Sequence, residues 1–203
     1  MKFRLLIQSL AAAAILAVSA PHADAAPYST EGNPQALGLV ITVDGPDGWE
    51  QQGTGLGNII QRWDLWEPGV KATLYIYVSD MPNDIIRPES TARQLFSSGE
   101  PWWMVYHPER NEELVEKLGM EMICKADGCG INSKSVIRFA LRNNERAYNA
   151  NRRLWLFNRK RAVMIQLNAT GWDPAVLKGA LDRYDPVWNK FIDSLSISNW
   201  HSR

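Results

Sequence analysis

Residues 133–170 read SKSVIRFALRNNERAYNANRRLWLFNRKRAVMIQLNAT, the longest run of the chain in which strand patterning repeats with turn residues between. Ile137, Phe139 and Leu141 alternate with Arg138 and Arg142, and Asn143-Asn144-Glu145 breaks the run. Tyr148, Ala150, Leu154 and Leu156 follow, Asn158-Arg159-Lys160 breaks it again, and Val163, Ile165 and Leu167 close it. A period of two places apolar side chains on one face of a pleated strand, and Asn tolerates turn geometry. The stretch therefore predicts three antiparallel strands in a meander. Its apolar face needs a cover. Trp172-Asp173-Pro174 opens a helical pattern with Leu177, Leu181 and Tyr184 on one stripe. Asp185-Pro186 starts a second, with Trp188, Phe191, Ile192 and Leu195 facing inward, and Ser194 to Ser198 reads as extended or frayed.

Upstream, Leu39, Ile41 and Val43 mark a strand that ends at Asp44-Gly45-Pro46-Asp47-Gly48. Gly53, Gly55 and Gly57 do not make a phosphate loop, because Asn58-Ile59-Ile60 stands where a Lys-Ser/Thr pair is needed; the segment reads as a connection into a strand over Ile59 to Glu67. After Gly69, Val70, Ala72, Leu74, Ile76 and Val78 alternate with Lys71, Thr73, Tyr75 and Tyr77, the clearest strand pattern present and the expected centre of a sheet. Helical texture follows, near Pro88-Glu89-Ser90 with Ala92, Leu95 and Phe96, and from Pro101 with Trp102, Trp103 and Tyr106. A third helix is expected from Pro108, with Leu114, Val115 and Leu118 as its stripe, Glu112, Glu113 and Glu116 on its solvated face and Gly119 as its cap. Met120 to Cys124 reads as a further strand. The expected fold class is α+β, an antiparallel sheet flanked by helices in an α/β/α sandwich.

The 203 residues, 45% hydrophobic and with formal net charge zero, suffice for one domain, expected over 37–203. Lys2 and Arg4 precede the uncharged run from Leu5 to Ala20, and Ala23-Asp24-Ala25 fits a small-residue cleavage site. Residues 1–25 are thus expected to be a signal peptide, 26–36 a flexible lead-in, and the mature protein periplasmic or secreted, with no membrane span after cleavage. The run of 16 residues falls short of the ~20 a spanning helix needs.

Nucleophilic catalysis needs an imidazole beside a hydroxyl or thiol, and the mature chain offers only His107 and His201. His107-Pro108-Glu109 has the His-x-Glu form of a zinc deaminase, but the Pro-Cys-x-x-Cys partner is absent. The expectation is a non-enzymatic protein without cofactor or metal, with a small periplasmic hydrolase using His107 as the alternative. Nine Lys or Arg residues between Lys134 and Arg161 face one acid, Glu145. In an exported protein this points away from nucleic acid and toward either a solvated strand face or an acidic protein partner. The candidate partner-binding residues are Trp102, Trp103, Tyr106, Arg152, Arg153, Arg159, Lys160 and Arg161. Cys124 and Cys129, the only cysteines, are expected to form a structural disulfide across the Lys125–Gly128 loop.

The order of elements resembles the PsbP-like family, including bacterial periplasmic relatives of the DcrB type. The residues that carry the resemblance are Pro46-Asp47-Gly48-Trp49, the strand Leu74-Tyr75-Ile76-Tyr77-Val78-Ser79, the late meander, and the closing Phe191-Ile192-Asp193-Ser194-Leu195-Ser196-Ile197. It implies a helix-flanked antiparallel sheet and an accessory role exercised through contacts with other proteins, an immunity protein against a periplasm-delivered toxin being a close variant. The lipid-attachment Cys of many such relatives is missing here.

Overall fold

The computed structural model describes residues 27–53, 57–85, 88–97, 108–125, 128–141 and 145–199. β4 (Ile59–Glu67) and β5 (Val70–Ile85) form a hairpin whose turn needs Gly69, at φ 76°. Further along come β6 (Glu112–Lys125), β7 (Gly128–Ala140) and β8 (Arg146–Gly171); with β3 (Glu50–Gln52) they complete one sheet in the order β3-β4-β5-β8-β7-β6, every neighbour antiparallel. A smaller antiparallel sheet joins β1 (Pro27–Ser29), β2 (Val40–Asp44) and β9 (Ser196–Ser198).

β8 is not one straight strand. At ~3.3 Å per residue, Asn149 and Thr170 would stand about 70 Å apart in an extended chain, yet Asn149 Nδ2 donates to Thr170 Oγ1 at 3.2 Å. The chain folds back within the element: residues 146–157 pair with β7 and residues 161–170 with β5. β7 and the two arms of β8 are the three strands expected over 133–170.

The expected α/β/α sandwich is overturned. The chain is mostly strand, in two antiparallel sheets, and its α-helices among the described residues are three of ten residues each, α1 (Pro88–Ser97), α2 (Pro174–Arg183) and α3 (Asp185–Ser194). The helix expected from Pro108 is a 3-10 turn, Pro108–Arg110, followed by β6. Leu114 and Leu118, four apart, suit a helical stripe, but exposure alternates: Glu113, Val115, Lys117, Gly119 and Glu121 are open, while Glu112, Leu114, Glu116, Leu118 and Met120 are half-buried. Pairing with β7 selects the period of two. Residues 27–36 also depart from a flexible lead-in. Pro27–Ser29 is a strand, Ala36 and Thr30 are buried, and the Thr30 hydroxyl accepts from the Ile41 N–H at 2.8 Å and donates to the Leu39 carbonyl at 2.9 Å. The expected signal peptide and the aromatic helix from Pro101 lie outside the described residues.

The core forms on one face of the larger sheet. Ala72, Leu74, Ile76 and Val78 of β5 and Val163, Ile165, Leu167 and Ala169 of β8 meet Leu177, Ala180 and Leu181 of α2 and Trp188, Phe191 and Ile192 of α3. Asp173 caps α2, its carboxylate accepting from the Ala175 and Val176 N–H groups. Trp63 packs edge-on against Phe191 at 5.4 Å and against Tyr28 at 5.7 Å, contacts worth about 0.5–1.5 kcal/mol each beyond their burial.

Candidate binding face

The basic run of the meander does not make one positive surface. Arg152 and Arg153 are neighbours on a strand, so they point to opposite faces. Arg152 lies on the core side, with its Nη1 2.7 Å from Asp185 Oδ1 and its guanidinium 5.5 Å from the Trp188 ring centre. Arg153 is 6% exposed on the other side, where burial pulls its pKa down. Arg161 Nε is 3.7 Å from Asp80 Oδ1, Lys134 contacts Asp182 and Asp185, and Arg138 binds Glu113. The side chains of Arg159, Lys160, Trp102, Trp103, Tyr106 and His107 lie outside the described residues. Cys124 and Cys129 stand opposite each other in the β6–β7 ladder and are disulfide-bonded. Such a bridge belongs to a compartment outside the reducing cytosol.

A groove of about 340 Å³ opens where β6 is bulged, lined by Leu118, Gly119, Glu121, Asn132, Lys134 and Arg152 among others. Its two cations already serve Asp182 and Asp185, and Asn132 Nδ2 donates to Glu121 at 2.8 Å. Among the described residues no group of three His, Cys, Asp or Glu could hold a metal ion, and no helix is long and apolar enough to cross a membrane.

The face of the larger sheet opposite the core is where polar groups gather. Cross-strand partners share a face, so the ladders place side chains in rows. One row runs Trp66, Lys71, Thr170, Asn149; the next Asp64, Thr73, Asn168, Asn151, Ser135; a third Arg62, Tyr75, Gln166, Arg153, Ser133. Hydrogen bonds knit them. The Tyr75 hydroxyl donates to Gln166 Oε1 at 2.5 Å, Gln166 Nε2 to Asn168 Oδ1 at 2.6 Å, and the Ser135 hydroxyl to Asn151 Oδ1 at 3.2 Å. Asp64, 3% exposed, holds Arg62 at 3.1 Å and Lys71 at 3.4 Å. Burial raises the Tyr75 pKa, against the nearby positive charge of Arg153, so this hydroxyl remains a donor. Two buried amide atoms, Asn149 Oδ1 and Asn151 Nδ2, have no hydrogen-bond partner. Each such group costs about 1–3 kcal/mol while it stays unmet.

The two ends of this face differ. At one end Ile131, Phe157 and Ala162 form a second apolar cluster with Met120 and Trp155, the Trp155 and Phe157 rings stacked at 6.3 Å. α1 packs against β7, β6 and β8. At the other end Trp66 is 67% exposed, with Lys71 Nζ 4.5 Å from its ring centre, and Trp172 is 58% exposed. Trp66 stands just before the β4–β5 turn in the chain, and Trp172 just after Gly171. Gly171, the last residue of β8, lies so close to that turn that an added Cβ would stand 2.4 Å from the Gly69 carbonyl oxygen. Sequence reasoning missed this constellation, although the alternation that reveals it was legible: Lys71, Thr73 and Tyr75 interleave with the apolar residues of β5, as Asn149 and Asn151 flank Ala150 in β8.

No family model matches this chain, and no curated protein matches it. A solved crystal structure from Bacteroides thetaiotaomicron VPI-5482 is similar over 77% of this chain and 44% of its own, at 9% identity and a TM-score of 0.35. At that score the likeness carries no argument about fold or function. The chain spans less than half the length of that neighbour.

Proposed function

We propose that this is an exported, non-enzymatic binding protein that works in the periplasm or outside the cell through the polar face of its larger sheet. The observation that carries the reading is the outermost row of that face, Trp66, Lys71, Thr170 and Asn149, in which Trp66 is 67% exposed and the other three are half-buried, at the sheet end away from the second apolar cluster. The disulfide supports export. The reading does not take over the acidic partner expected from the basic run, because Lys134, Arg138, Arg152 and Arg161 each face an acid of the same chain.

Capture experiments from the native extracytoplasmic fraction test it. The mature protein and its Asn168→Ala and Trp66→Ala variants are immobilised in parallel, with Lys190→Ala, far along the chain and paired with Asp47, as the control. Wild type and Lys190→Ala are expected to retain the same material and the two face variants to lose it while still folded, Trp66→Ala at unchanged melting temperature and Asn168→Ala at one lowered by the loss of the Gln166 hydrogen bond. Equal retention by all four proteins overturns the reading.

A further inference from the structure

We draw no further inference here: the strongest candidate, the groove of about 340 Å³ beside the bulges of β6, has its cations Lys134 and Arg152 already matched by Asp182 and Asp185 and the Asn132 amide donating to Glu121, and nothing in the structure shows what would fill it.

Discussion

The two faces of the larger sheet are built from the same strands with opposite chemistry. On β5, Ala72, Leu74, Ile76 and Val78 enter the core, while Thr73, Tyr75 and Tyr77 between them face the polar side. The core face is held by area removed from water, which is non-directional. The polar face is held by a hydrogen-bond chain, which is directional and leaves specific atoms over when it is incomplete. A slip of one residue in register would exchange the two sets. Stability should therefore concentrate on one side of the sheet and recognition on the other.

That division can be broken most directly from the core side. Leu154 is fully buried, and Leu154→Ala is expected to cost about 2–5 kcal/mol in urea unfolding; a loss below ~1 kcal/mol would show that this face does not dominate. Replacing Cys124 and Cys129 together by Ser should cost about 2 kcal/mol, the chain-entropy value for so small a loop, and a melt of the wild type under reductant should reproduce it. Alkaline pH probes both sides. Burial raises the pKa of Tyr28, Tyr75 and Tyr184 above the ordinary 10.0. The unfolded chain then releases protons before the folded one, so stability is full below pH 10 and declines as pH rises beyond it; melting temperatures from pH 8 to 11 check the sign. On the polar face, Tyr75→Phe should cost about 1–3 kcal/mol, because it leaves the buried Gln166 Oε1 without its donor. Trp66→Ala should change stability by no more than about 0.5 kcal/mol while altering recognition. A large loss of stability from that variant would make Trp66 a structural residue.

Much of the scaffold was readable from period alone. Residues 59–67, 70–78 and 174–194 carry apolar positions at a spacing that only one backbone geometry satisfies. Residues 112–119 do not, because Leu114 and Leu118 serve a helical stripe and a strand face equally, and only the partner strand decides. The candidate face was illegible for a related reason. Asn151, Ser135 and Gln166 read as solvated residues along the chain, and become buried only when β5, both arms of β8, and β7 stand side by side. Arg152 and Arg153 show the cost of counting charge without direction: adjacent in sequence, they serve opposite sides of the sheet.

The pairing of β2 with β9 has a consequence in time. Val40 lies opposite Ser198 and Ile41 opposite Ile197, so the smaller sheet is closed by residues separated by most of the described chain. Closing so long a loop costs entropy that grows with the logarithm of its length, and the contact cannot reward the chain until nearly all of it has been delivered. During synthesis or threading from the N-terminus, β1 can pair with β2 early, but the other edge of β2 waits for residues 196–198. In that interval a strand carrying Ile41 and Val43 is open to any extended segment nearby, including a second copy of itself. A chain cut short before Ser196 would keep that edge open permanently.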